Sequence, residues 1–230
     1  MPADAARTRP TCRPAAAMSW EDVVDRARAL AATGRAVLGI AGPPGAGKTT
    51  LASALVAALD RAAPGSAAHV PMDGFHLADV ELTRLGRLDR KGAPDTFDAD
   101  GYRALLARLV APRAGEIVYA PAFDRELEQP VAGSIPVGGA VDLVVSEGNY
   151  LLLPGPGWRA ARELCAEVWW VDAGPDERTR RLVARHERFG KSAAAAEVWV
   201  RDVDGANARL IETTRDEADL IVPGDLELPG

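Results

Sequence analysis

Cysteine is nearly absent from this chain. There are two in 230 residues, Cys12 and Cys165. Neither has a neighbour that would make a metal or redox motif, which argues against a disulfide framework or a zinc site. The pattern suits a reducing cytoplasm, and cytoplasmic is the expected location. No apolar run approaches the roughly 20 residues that a membrane helix needs. The first 17 residues are rich in Ala, Arg and Pro and lack an apolar h-region, so they do not read as a secretory signal. Positive charge is also short: 27 Lys and Arg face 33 Asp and Glu, a net charge of −6, which argues against a nucleic-acid partner. Only three lysines occur, at 48, 91 and 191. No internal repeat, extended low-complexity tract or dividing linker is found. Residues 1–17 are expected to be a disordered extension, and 18–230 a single domain opening on Ser19 as a helix N-cap with acids in the first turn.

One of those lysines sits in the most informative segment. Residues 42–49 read Gly42-Pro43-Pro44-Gly45-Ala46-Gly47-Lys48-Thr49. This is the G-x-x-x-x-G-K-[ST] phosphate-binding loop, and Thr50 follows it. An apolar β-rich run, Ala36 to Ile40, precedes it, and a helical pattern, Lys48 to Asp60, comes after. Glycines at 42, 45 and 47 let the backbone curl so that N–H groups point inward. Those groups and the positive end of the helix can hold phosphate oxygens. Lys48 can reach the β/γ-phosphates, and the Thr49 hydroxyl can ligate Mg²⁺. The expected ligand is therefore a nucleoside triphosphate.

Strands alternate with helices along the chain, the pattern of an α/β fold whose parallel sheet is covered on both faces. Helices are predicted over Ser19 to Ala32, Asp100 to Leu109, Pro175 to Phe189 and Ala194 to Thr213. Further strands are predicted at His69 to Met72, Ile117 to Ala120, Val141 to Ser146, Val168 to Val171 and Leu220 to Val222. Residues 79–100 read as polar and irregular. Trp169 and Trp170 point to opposite faces of one strand and read as packing.

Ligands in open α/β sheets bind beyond the carboxyl ends of the strands. Asp73, in Asp73-Gly74-Phe75-His76, falls at such an end and can accept a proton from an attacking hydroxyl. Glu147 ends the apolar run Leu143-Val144-Val145. An acid there is costly unless something uses it, so it reads as a Mg²⁺ or substrate ligand. Arg178, Arg181, Arg185 and Arg188 are spaced 3, 4 and 3 and share one helical face. That stripe, with Arg181 and Arg185 as the favoured pair, can close over a triphosphate and offset developing charge; Lys191 can serve too. His76, Lys91, Asp98, Tyr119, Asp124 and Arg125 lie in segments that can wall an acceptor pocket. Tyr119 and Phe123 read equally as core aromatics, and His76 as a structural residue. Asn207 and Arg215 can approach nucleotide or substrate.

Together these motifs resemble the P-loop kinases that include pantothenate kinase, uridine kinase and phosphoribulokinase, over roughly residues 20–222. The shared pieces are 42–49, Met-Asp-Gly-Phe-His (72–76), Arg-Lys-Gly-Ala-Pro-Asp-Thr-Phe-Asp (90–98), Tyr-Ala-Pro-Ala-Phe-Asp-Arg (119–125), Val-Ser-Glu-Gly-Asn-Tyr-Leu-Leu (145–152), Arg-Leu-Val-Ala-Arg-His (181–186) and Thr-Arg-Asp-Glu-Ala-Asp-Leu-Ile (214–221). The segment 123–130 is closer to the nucleoside/nucleotide kinase-like branch than to pantothenate kinase. The resemblance implies a three-layer sandwich with a mainly five-stranded parallel sheet and a helical lid. It implies ATP, Mg²⁺ and transfer of the γ-phosphoryl group to the hydroxyl of a pantothenate-, nucleoside- or sugar-like acceptor. Asp73 would be the base, Glu147 the second acid and the arginine helix the lid. No nucleic-acid or membrane partner is expected, and a homodimer is allowed. The competing classes are an ATPase or GTPase switch and a nucleotide-binding regulator. The chain has no Asn-Lys-x-Asp guanine-reading segment, and Lys48, Thr49, Asp73 and Glu147 are all present.

Overall fold

The computed structural model describes residues 18–32 and 34–229. The extension expected over 1–17, with Cys12, lies outside the described residues. Helix α1 (Trp20–Ala31) starts where the sequence places it: Ser19 and Asp22 form a reciprocal capping box. Strand β1 (Ala36–Ala41) leads through the glycine loop into α2 (Lys48–Ala62), and β2 (Ala67–His69) follows. A 3₁₀ turn, Met72–Phe75, precedes α3 (Asp79–Leu85) and α4 (Ala99–Val110). Strands β3 (Val118–Asp124) and β4 (Gln129–Val137) form an antiparallel hairpin. Then come β5 (Leu143–Glu147), α5 (Pro156–Arg162), β6 (Glu167–Asp172) and α6 (Pro175–Arg188). The chain closes with α7 (Ala193–Trp199), a π-turn (Val200–Asp204), α8 (Gly205–Glu212) and β7 (Leu220–Pro223).

Five strands form one parallel sheet in the order β2-β5-β1-β6-β7. Residue alternation divides β1 and β6 between two cores. Leu38, Ile40 and Trp169 face α1 and α2, whereas Val37, Ala41 and Trp170 face the side covered by α4 and α5. On that second side Tyr102, Leu105, Leu106 and Leu109 of α4 are buried, at spacings of 3, 1 and 3 that make one helical stripe. Truncating Leu106, fully buried, to alanine would cost about 2–5 kcal/mol.

Four expectations change. The second strand ends at His69 rather than running through Met72. Val70 donates the last ladder bond, to the Val145 carbonyl at 2.9 Å, and Pro71 has no N–H to continue it. The backbone then curls into the 3₁₀ turn that carries Asp73. Residues 79–100 are largely ordered into α3 and short 3₁₀ turns at 88–90 and 94–96; α3 stops at Gly86, whose φ is 65°. The predicted strand at 117–120 is one arm of a hairpin reaching Asp124. Its partner β4 was not expected, because the exposed stretch 132–134 carries no apolar period, and α5 was missed as well. The single helix expected over 194–213 contains a π-turn, with the Gly205 N–H reaching back to the Val200 carbonyl. Among the described residues no helix is long and apolar enough to cross a membrane.

Candidate active site

The glycine loop has the backbone its sequence requires. Gly42, Gly45 and Gly47 take φ of 146°, 76° and 101°. A Cβ on Gly45 would lie 2.8 Å from the Arg178 carbonyl oxygen, so the loop and α6 approach too closely for a side chain there. Gly47 caps α2 without a side-chain acceptor, and the N–H groups of Gly47, Lys48 and Thr49 find no acceptor among the described residues. Unused donors at a helix N-terminus suit a phosphate.

Lys48 is buried and donates to the Pro43 carbonyl at 3.0 Å. Burial lowers its pKa to about 8 against the opposing pull of the Glu147 and Asp73 charges. Thr49 Oγ1 donates to Glu147 Oε1 at 3.0 Å. Glu147 is buried at the end of β5. Burial first, and then repulsion by Asp73, pushes its pKa up to about 7. His69 Nε2 lies 3.9 Å from Glu147 Oε1, too long for a hydrogen bond, and is buried without a partner. Burial also lowers the His69 pKa, which favours the neutral ring.

Asp73 enters from the 3₁₀ turn after β2. Two glycines bring that turn against its neighbours. The Cα of Gly74 packs on the Pro121 backbone, where a Cβ would sit 2.7 Å from the carbonyl carbon. A Cβ on Gly148 would lie 2.6 Å from the Met72 Cβ. The turns bearing Asp73 and Glu147 are thus locked together. Asp73 Oδ2 accepts from Arg125 Nη2 at 2.8 Å, and the Asp73 carbonyl meets His76 Nδ1 at 2.8 Å. The His76 ring lies against Phe97 and Phe123, with centroids 4.0 and 4.7 Å away.

The predicted residues separate into three groups. A cavity of about 550 Å³ brings together Pro44, Gly45, Gly47, Lys48, Thr49, Thr50, Asp73, Glu147, Arg181 and Arg185 with His76, Lys91, Arg125, Lys191 and Asn207. Gly42, Pro43 and Ala46 shape the loop from outside that lining. Tyr119 is more than half exposed on the hairpin and Asp124 caps its turn through the Glu126 and Leu127 N–H groups, so neither reaches the cavity. Asp98 caps α4 instead. Arg178 and Arg188 also point elsewhere. Arg178 pairs with Glu212 at 2.6 Å, and Arg188 lies over the Phe189 ring. Arg215 pairs with Asp172. Arg181 bonds Glu177 and reaches the Gly45 and Ala46 carbonyls at 3.4 Å, docking the lid helix on the loop.

Sequence reasoning missed Glu128, Trp199 and Asp204 in the lining. Asp204 meets His186 Nε2 at 2.8 Å across 18 residues of chain, and no local pattern signals that pair. The residues present fit a magnesium–triphosphate. Thr49 and Glu147 offer adjacent oxygen donors, and among the described residues no cluster of three or more His, Cys, Asp or Glu could hold a metal alone. Mg²⁺ ordinarily takes one or two carboxylates and completes its shell with phosphates and water.

No family model matches the chain. Individual relatives do. A candidate uridine kinase of Schizosaccharomyces pombe, C227.14, is 33% identical over 189 residues, spanning 80% of each chain. The pantothenate kinase of Lacticaseibacillus casei is 30% identical over 212 residues, 81% of this chain and 67% of its own. A solved structure from Silicibacter sp. TM1040, described as a candidate fructose transport system kinase, is 36% identical with a TM-score of 0.80, covering 90% of this chain and all of that one. With the glycine loop, sheet order and paired acids already in place, these likenesses make the chain a member of the P-loop kinase family that contains uridine kinase and pantothenate kinase.

Proposed function

We propose that this protein uses ATP and Mg²⁺ to phosphorylate a hydroxyl group of a small-molecule acceptor. The observation that carries the reading is the convergence of Lys48, Thr49, Glu147 and Asp73 on one cavity that His76, Lys91 and Arg125 also line. Bound magnesium–ATP would supply the γ-phosphoryl group. The chain supplies everything around it. The loop N–H groups, Lys48, Arg181 and Arg185 hold phosphate oxygens and offset charge. Thr49 and Glu147 hold the metal. Asp73 takes the proton of the acceptor hydroxyl as that oxygen attacks. Phe97, Phe123 and the stacked His76 ring wall the acceptor away from water.

A coupled assay of ADP release, run with and without pantothenate, nucleosides and sugars, tests this. Release that needs an acceptor and produces a phosphorylated alcohol is the expected result. Equal release with no acceptor present would make the protein an ATPase and sink the proposal.

A further inference from the structure

One of the two carboxylate oxygens of Asp73, the proposed base, is already engaged. Its Oδ2 accepts from Arg125 Nη2 at 2.8 Å in a charge-assisted, partly exposed pair, while Oδ1 has no partner among the described residues. Arg125, in turn, is only partly used. Its Nε and Nη1 have no partner among the described residues, and its guanidinium lies over the Phe123 ring at 5.1 Å. Lys91 approaches the same ring at 5.4 Å, held by Asp79 at 2.6 Å and by the Glu128 carbonyl.

The opposite wall adds positive charge. Arg185 lines the cavity, and its side chain has no hydrogen bond or ion pair among the described residues. Burial and the nearby Arg125 charge both lower its pKa. Lys191 lies over the Trp199 ring at 4.5 Å. The cavity thus mixes cations with the acids Asp73, Asp79, Glu128, Glu147 and Asp204, and the arginine nearest the base is the one with unused donors.

We infer that the acceptor carries an oxyanion, a carboxylate or a phosphate, which docks on the Arg125 guanidinium and draws it away from Asp73. This deepens the kinase reading above and rests on it. A planar guanidinium takes an oxyanion through two parallel N–H bonds, a stronger match than the single bond it makes to Asp73. Binding of the oxyanion places the hydroxyl of the same molecule beside the Asp73 carboxylate. Arg125 is then a specificity residue next to the base.

Matched probes separate charge from shape: glycerate and glycerol, pantothenate and pantothenyl alcohol, ribose 5-phosphate and ribose. Their binding is measured by calorimetry on the full chain saturated with magnesium and a non-hydrolysable ATP analogue, which fills the donor site. In at least one pair the anion should bind 10-fold or more tighter than its neutral partner, and the pair shows whether carboxylate or phosphate is read. Arg125→Ala should weaken that anion roughly 10- to 100-fold and erase the preference, with affinity for the ATP analogue unchanged. Arg125→Lys, which keeps the charge and loses the fork, should fall between. No preference in any pair, a preference that survives Arg125→Ala, or anion binding lost once the ATP analogue is present would overturn the inference. ADP release on the same samples keeps the two readings apart. Arg125-dependent anion binding without turnover would sink the kinase and leave the oxyanion site. Turnover of neutral acceptors alone would sink the oxyanion site and leave the kinase.

Discussion

Replacing Glu147 with glutamine should stabilise the ligand-free protein at pH 8 while damaging its activity. The carboxyl is buried, and its pKa is pushed up to about 7 from 4.5, chiefly by burial and then by the Asp73 charge. Between those two values the folded chain binds more protons at this site than the unfolded chain does. Its stabilising contribution is therefore full below about pH 4.5 and is lost as pH rises through 7. The gap corresponds to roughly 3 kcal/mol at most. Lys48 returns part of it, because its buried ammonium gains from the Glu147 charge. Glutamine keeps an oxygen for the Thr49 hydroxyl and carries no charge to bury. A net gain of about 1–2 kcal/mol at pH 8 follows, or about 2–8 °C in Tm for a chain of this size. At pH 5 the folded carboxyl is already neutral and only about a quarter of the gap has opened, so the difference should shrink several-fold. Thermal melts of both proteins at pH 5 and pH 8 measure this. Equal differences at the two pH values, or a less stable variant at pH 8, would refute the reasoning. Turnover should fall by about 10-fold or more, since an amide is a poorer magnesium ligand than a carboxylate.

Asp73→Asn should cut turnover by about 10²-fold or more, roughly 2.7 kcal/mol of barrier, with nucleotide binding retained. The Arg125 pair it breaks is partly exposed and worth under about 1 kcal/mol, so the melting temperature should barely move; steady-state rates beside a melt check both. Lys48→Ala should weaken binding of a fluorescent ATP analogue by about 10-fold or more, and unchanged binding would remove the glycine loop from the site. Gly74→Ala forces a Cβ into the Pro121 backbone and should destabilise by about 1–3 kcal/mol, with turnover falling as the Asp73 turn shifts; a melt and a rate measurement on one sample test the link.

Local chemistry made the donor half of the site legible in the sequence. The glycine spacing, the lysine and the hydroxyl sit within eight consecutive residues, so their geometry follows from one strand–loop–helix unit. The strands β1, β5 and β6 were visible for a similar reason. Each is a short apolar run buried on both faces, and the two tryptophans of β6 divide between the two cores as alternation requires. The hairpin arm β4 was not visible, because its middle residues, 132–134, are exposed and fall where the pairing with β3 is irregular. The stripe of four arginines shared a helical face as its spacing said, yet neighbouring elements split it. Glu212 on α8 claims Arg178, and the P-loop carbonyls lie within reach of Arg181.

The sequence by itself determined the phosphate loop and the helix that follows it, and it marked the acid that ends β5 and the acid just beyond β2, because each depends on neighbours in the chain. Tertiary structure alone decided which residues share the cavity. Arg125 meets Asp73 across 52 residues, and Asp204 meets His186 across 18. Those pairings come from the packing of a hairpin against the turn after β2 and of α6 against the π-turn. No local period in the chain encodes such docking, since it is set by the shapes of surfaces that exist only once the sheet has formed.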